Sequence, residues 1–446
     1  MYITRSRDER EQMLKVVGIG KIEDLLREIP EDLLRDESLD LPAPMSEFEL
    51  SSHMKDLAAS NTGAAKGGPF LGGGAYDHYI PSAVRQIVSR SEFLTAYTPY
   101  QPEVSQGTLQ AAFEYQSMVC ALTGLEVSNA SLYDGASASA EAVLMARAIA
   151  DRPDVVVGGT LQPAYKEVLD TYLKYSGAEV KEASAADGRV KPEDWKKLVT
   201  PRTAAVVIQS PNMFGLIENV TPAVEAAKQA GALTVMVCDL LSLSLLRSPA
   251  EWGADIAVGE GQSVGSALSF GGPYLGFIAT KRSFIRKMPG RIVAETSDAD
   301  GRRGFVMTLQ TREQHIRRER ATSNICTNQG LNALAAAVHI GLLGPRGLRR
   351  AAEGCVRNAR YAAEEISKVP GFKTEFDGPF FREFAVRTPI PPAELNRRLA
   401  ERGMLGGLDL GRWDDSLGGL WLVCVTEKRR KAEIDEFVQA VRECCE

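Results

Sequence analysis

Five stretches of the chain place reactive or ligand-binding side chains where a folded backbone can use them. Asp239 directly follows the apolar run Leu233-Thr-Val-Met-Val-Cys238. A carboxylate at the carboxyl end of a buried strand suits a cationic ligand group, though acidic residues also end strands with no such role. Tyr133-Asp-Gly-Ala-Ser-Ala-Ser-Ala-Glu141 precedes a helix read over 142–150. Small residues at a helix start leave N–H groups free for a phosphate; Asp134 or Ser137 can equally be an ordinary cap. Gly259-Glu-Gly-Gln-Ser-Val-Gly265 is a third loop, and Ser263 lies 24 residues beyond Asp239. Thr322-Ser-Asn-Ile-Cys-Thr-Asn328, with Arg317, Arg318 and Arg320 upstream, offers hydroxyls, amides and cations to a phosphate or carboxylate, or else a helix cap beside a solvated basic face. The fifth is Thr95-Ala-Tyr-Thr-Pro-Tyr-Gln101, where Pro99 and Pro102 stiffen a backbone bearing two tyrosines.

These stretches need a framework. Residues 1 to about 60, punctuated by Pro30, Pro42 and Pro44, read as short surface helices or an arm, and 63–74 are too glycine-rich for a regular element. Leu109, Ala112, Tyr115, Val119 and Leu122 recur at helical spacing, with Gly124 as a stop. Strands read at 154–157, 180–182, 204–209 and 233–238 alternate with helices at 164–175 and from the Thr221-Pro222 cap to Gly231. Short continuous apolar runs between amphipathic helices predict a mostly parallel sheet, covered on both faces. Beyond 330, helices at about 330–342 and 346–367, strands near 380–387 and 420–425, and a helix over 430–443 predict a smaller α+β domain. The expected division is 1–92 as arm and helices, 93–330 as a large α/β domain, and 331–446 as the small domain.

Bulk properties narrow the function. With 446 residues, 44% hydrophobic and 25% charged, the chain is an ordinary globular one. A net charge of −6 argues against a general nucleic-acid or anionic-membrane surface. No apolar run spans a membrane, and the start has no secretory pattern. Seven cysteines without a C-x-x-C pair read as reduced thiols, so the expected location is cytoplasmic. No Cys/His ligand spacing predicts a metal site. A Gly-x-Gly-x-x-Gly turn after the first strand is absent, which removes a nicotinamide reading.

In enzymes of the aspartate-aminotransferase fold, an Asp after such a strand holds the pyridine nitrogen of pyridoxal phosphate, and the Schiff-base lysine follows some two dozen residues later. Here that place is Ser263. No lysine occurs between Lys228 and Lys281, and Lys281 lies beyond the glycine-rich turn. Serine cannot form an imine, which weighs against a self-sufficient aminotransferase or desulfurase. The chain nevertheless resembles the P-protein of glycine decarboxylase, specifically the first subunit of its two-chain form. The matching pieces are Ser46-Glu-Phe-Glu-Leu-Ser-Ser-His-Met54, Thr95 through Gly107, Asp134-Gly-Ala136, Gly290-Arg-Ile-Val-Ala-Glu295, Gly301-Arg-Arg-Gly-Phe-Val-Met-Thr-Leu-Gln310, Thr322 through Asn328, and Leu422-Val-Cys-Val-Thr-Glu-Lys428.

The resemblance implies a type I pyridoxal-phosphate transferase fold with a mostly parallel seven-stranded sheet. It implies a cofactor held covalently by a homologous, lysine-bearing second subunit, in an α2β2 assembly. Glycine would lose its carboxyl as CO2, and its aminomethyl group would pass to the lipoyl arm of H-protein. Tyr97, Thr98, Tyr100, Gln101, Asn324 and Thr327 are the candidates for the shared pocket. Asp134, Gly135, Ser137, Asp239, Gln262 and Ser263 are candidates for a vestigial cofactor site. The alternative is a non-catalytic partner that only stabilises another chain, for which the polar-aromatic run at 95–106 has no evident use.

Overall fold

The computed structural model describes residues 6–34, 39–61, 68–185, 187–272, 274–325 and 329–446. The chain separates into two compact units, residues 1–62 and 63–446. In the first, helices Arg7–Val17 and Glu47–Ala59 open with the same reciprocal cap. The Ser6 and Ser46 hydroxyls accept from the N–H of Glu9 and Glu49, whose carboxylates take the serine N–H groups in return. Neither helix buries a residue within its unit.

The larger unit is built on a seven-stranded sheet of β1 (Val127–Ser128), β2 (Asp154–Gly158), β3 (Val180–Ala183), β4 (Thr203–Gln209), β5 (Leu233–Val237), β6 (Ile256–Glu260) and β7 (Gly276–Thr280). Their spatial order is β1-β7-β6-β5-β4-β2-β3. Strands β2 to β6 pair in parallel, and β7 runs antiparallel to both β6 and β1. The strands are apolar on both sides because both faces are covered. Val206, Ile208, Met236 and Ala257 face one core; Ala205, Val207, Val235 and Ile256 alternate onto the other. Each buried valine or isoleucine contributes about 1.5–3 kcal/mol.

Most predicted elements lie within a residue or two of their places, and the exceptions have physical causes. Helix Gln106–Thr123 ends at Gly124, whose φ of 70° only glycine adopts freely. The helix read as starting at 142 begins instead at Gly135 and runs to Ala150. Asp134 caps it, and the small residues that suggested a loop let it lie close on the sheet. Thr221 is not a cap: it is the first helical residue, after Val220. The two helices read after 330 are both present within Gly330–Ile366, parted by a kink at the non-helical Gly344 (φ 58°, ψ −178°) before Pro345. Gly259 and Glu260, read as loop, belong to β6.

After β7 a hairpin of Ile292–Ser297 and Arg303–Thr308 packs on helix Gln106–Thr123. A four-stranded antiparallel sheet containing Glu383–Arg387 and Leu420–Cys424 packs on the second half of the long helix and on helix Lys431–Glu443. Residues 68–79 join this smaller sheet to the larger one. The Phe70 ring stacks on Phe437 at 3.7 Å, and Cys424 N–H donates to the Phe70 carbonyl at 2.9 Å.

Candidate functional site

The topology brings the ends of β4, β5 and β6 to one edge of the large sheet, where Asp239 emerges. Its Oδ1 accepts the Ser242 N–H at 2.8 Å, which turns the backbone back over the strand end. Its Oδ2 accepts from Arg382 Nη2 at 2.9 Å; Arg382 is buried and Asp239 nearly so. Burial alone would raise this carboxyl; the Arg382 charge and hydrogen bond, with His78, outweigh burial and hold it below the usual carboxylate range. The guanidinium carbon of Arg382 lies over the Tyr76 ring, 3.4 Å from its centre. The Tyr76 hydroxyl donates to Glu383 Oε2 at 2.8 Å. Gln262 clamps the Tyr76 backbone, accepting its N–H at 2.8 Å and donating to its carbonyl at 2.9 Å. Gly72 must be glycine, because a Cβ there would come within 2.2 Å of the Glu383 carboxylate.

Behind Arg382 the polar chain continues. Arg382 Nη1 lies 3.1 Å from His78 Nε2, and His78 Nδ1 lies 2.7 Å from Glu427. Burial opposes the charge on Glu427, but His78 and the Tyr79 N–H hold its carboxyl down to about 2. The Cys355 thiol donates to the same carboxylate at 3.3 Å. These three donor groups converge within 4.8 Å, yet the adjacent guanidinium already supplies the local positive charge.

Asp134 and Ser137 form the cap of helix Gly135–Ala150, with Ser137 N–H donating to Asp134 Oδ1 at 2.7 Å. The Gly135 N–H donates to Glu260 Oε2 at 3.0 Å. Glu260 Oε1 also accepts from Leu275 N–H at 2.7 Å and Gln262 N–H at 3.2 Å. Burial pushes the Glu260 carboxyl up to about 7 in spite of these donors. Ser263 is buried in the same wall, its hydroxyl without a well-formed hydrogen bond. The space left among Tyr76, Tyr165, Asp239, Gln262, Ser263 and Arg382 is about 50 Å³. Lys281 stands elsewhere, paired with Asp255 at the far end of β7.

A second, open site lies on the surface of the larger unit. Tyr100 and Asn324 line one cleft of about 670 Å³ together with Arg291, Arg312 and Arg318. Tyr97 and Thr98 line a neighbouring one of about 410 Å³, and Arg291 reaches both. Arg291 donates to the Tyr100 hydroxyl at 3.1 Å and lies over its ring. Arg312 is buried and donates to the backbone carbonyl of Gly290 at 3.0 Å and to that of Met288, fixing the loop that carries Arg291. Gln101 is exposed and lines neither cleft. Thr327 lies outside the described residues. Tyr76, Glu260, Arg291, Arg312 and Arg382 escape sequence reasoning. A charged Arg382-Glu383 pair inside the apolar run Phe380 to Val386 is the one signal that points to a buried polar site.

The fold is that of the type I class of pyridoxal-phosphate-dependent transferases. Within it, the chain belongs to the glycine cleavage system P-protein family, whose model matches residues 1–441. It is 51% identical over 434 residues to the probable glycine dehydrogenase (decarboxylating) subunit 1 of Desulforamulus reducens, covering 97% of each chain. A crystal structure of glycine decarboxylase (P-protein) of the glycine cleavage system, in inhibitor-bound form, superposes with a TM-score of 0.92 at 44% identity over 100% of both chains. Sphingosine-1-phosphate lyase of Burkholderia pseudomallei, 15% identical, shares the fold alone, with a TM-score of 0.67 over 92% of this chain and 93% of that one.

Family membership implies the use of pyridoxal phosphate. The residues around Asp239 do not fit that group. They include no lysine, Asp239 already has a cation, and about 50 Å³ of space is far below the roughly 300–1,000 Å³ of small-molecule pockets. Among the described residues no helix is long and apolar enough to cross a membrane.

Proposed function

We propose that this chain is the first, lysine-free subunit of a two-chain glycine dehydrogenase (decarboxylating), acting in the cytoplasm within the glycine cleavage system. The observation that carries this reading is Ser263, set in a filled pocket within a chain that otherwise matches the P-protein over its length. A subunit unable to hold an imine needs a homologous chain that can. The two kinds of chain would pair around a pseudo-twofold axis, giving α2β2, as homodimers of this fold pair around a true one.

Pyridoxal phosphate on the partner's lysine supplies an electron sink as the glycine carboxyl leaves as CO2. This chain's part is to complete the partner's pocket and the entry for the lipoyl arm of H-protein. Tyr97, Thr98, Tyr100, Gln101, Asn324 and Thr327 are the residues proposed for it. The Tyr100 hydroxyl, already bonded to Arg291, offers a positioned polar group beside a flat ring. Arg291 and Arg318, in the cleft with it, suit a carboxylate or phosphate.

The test is exchange of labelled bicarbonate into glycine with lipoylated H-protein present. It is measured for this chain, for the homologous lysine-bearing chain, and for their mixture. Exchange is expected from the mixture alone; equal exchange by this chain without a partner would refute the reading.

A further inference from the structure

We infer that the buried site is closed to pyridoxal phosphate because three of this chain's side chains stand where the cofactor's three recognised parts would be held. The Glu260 carboxyl occupies the phosphate cradle. The Arg382 guanidinium rests on Asp239 in place of the cationic ring nitrogen. The Tyr76 ring supplies the flat layer above it. The inference rests on the reading above only for the choice of cofactor.

Each replacement is visible in the contacts. A phosphate in this fold sits on free N–H groups at a helix start, but here the Gly135 N–H donates to Glu260 at 3.0 Å. The carboxyl takes two further backbone donors, from Gln262 and Leu275, so one side chain meets the hydrogen-bonding demand of the cradle. No room remains above it, since a Cβ on Gly135 would come within 2.1 Å of the Tyr165 hydroxyl. At the other end Asp239 is paired at 2.9 Å with a cation from the small sheet, so an incoming pyridinium would have to displace a buried guanidinium. Tyr76 seals that guanidinium at 3.4 Å and is tied to Gln262, next to the serine that stands in the lysine's place. The same contacts bind three distant segments, around residues 76, 260 and 382, so the former cofactor site now serves as a latch between the sheets.

The full-length chain is titrated with pyridoxine 5′-phosphate, which has the ring nitrogen and phosphate but no aldehyde to react with surface lysines. Uptake is read by equilibrium dialysis. The wild type should show no saturable uptake, whereas a Tyr76→Gly/Glu260→Ser/Arg382→Ser variant, opened at all three places, should take up one equivalent saturably. One equivalent bound by the wild type overturns the inference, and so does a folded variant that binds no better.

If the triple variant does not fold, Glu260→Ser alone decides, because it leaves the buried ion pair in place. Inorganic phosphate should raise the Tm of Glu260→Ser and not that of the wild type; an equal response in both overturns the inference. Bicarbonate exchange by the mixed complex is measured separately, so loss of the closure and loss of the proposed activity remain distinguishable.

Discussion

The buried site at Asp239 and the open clefts beside Tyr100 hold the same kinds of side chain under opposite conditions. Both contain an arginine lying over a tyrosine ring with a carboxylate nearby. At Asp239 the arginine and carboxylate are nearly out of reach of water, the tyrosine ring lies 3.4 Å from the guanidinium, and about 50 Å³ is left. At Tyr100 the ring is 42% exposed, Arg291 lies 5.5 Å from its centre, and about 670 Å³ stands open. A buried charge is tolerated only when paired and hydrogen-bonded, and removing its partner is costly. Arg291 is itself paired with Glu313 at 3.4 Å, but it borders an open cleft that a ligand can enter. The first site therefore has the character of a structural joint, and the second that of an open surface cleft, which the proposed pairing of subunits would cover.

The largest effect should come from breaking the joint. Arg382→Met leaves Asp239 charged, buried and without a cation, which should cost about 3–5 kcal/mol of unfolding free energy. Denaturant titration of the full chain measures it. A loss below about 1 kcal/mol would mean that Asp239 can protonate or find water cheaply, and the contrast between the two sites would fail. Adding Asp239→Leu to Arg382→Met should restore part of the loss, because the stranded charge is gone; the double-mutant cycle gives the coupling between the two residues.

That joint shows which parts of the molecule sequence reasoning reaches. The alternation of apolar strands with helices is local, so β2 through β5 and their helices are legible from periodicity as a mostly parallel sheet, while the type I fold itself comes from the resemblance to the P-protein. Ser263 is legible too, as a lysine missing at the expected spacing. Arg382 and Tyr76 are not, because their roles exist only once residues 76, 262 and 382 meet, and no spacing along the chain records that meeting. The retained aspartate without a lysine, together with a charged pair between phenylalanines, hints at the replacement without naming its geometry. Glu260 was hidden for another reason: glycines on both sides made a strand end resemble a loop.

A smaller effect should appear in the pH dependence of the buried site. Burial lifts the Glu260 carboxyl from 4.5 to about 7. A group whose folded pKa is raised adds stability fully below its unfolded value and loses it as pH rises through the folded one. The stability of the wild type relative to Glu260→Gln should therefore fall between about pH 4.5 and 7, by on the order of 3 kcal/mol. Urea titrations of both proteins across that range measure the difference. A flat difference would mean that the N–H groups of Gly135, Gln262 and Leu275 keep the carboxylate ionised throughout.

The smallest effect on folding, and the one that tests the open site, is Tyr100→Phe. The change keeps the ring on Arg291 and removes one hydroxyl. Because that hydroxyl is partly solvated, the isolated chain should lose no more than about 0.5 kcal/mol. In the assembled enzyme the same hydroxyl is proposed to lie against the reacting group. There its loss should raise the barrier by about 1–3 kcal/mol, a fall of roughly five- to 150-fold in kcat/KM. Gel filtration should show an unchanged assembly, since one rim hydroxyl contributes little to an extended interface. The two measurements together separate the readings of this region. Full activity with intact assembly removes Tyr100 from the pocket and leaves Arg291 without its proposed ligand-facing role. Weakened assembly with normal activity per intact complex makes Tyr100 an interface residue. Only a loss of activity with assembly and folding preserved fits a side chain left exposed in this subunit because its working contacts are made in the partner's site.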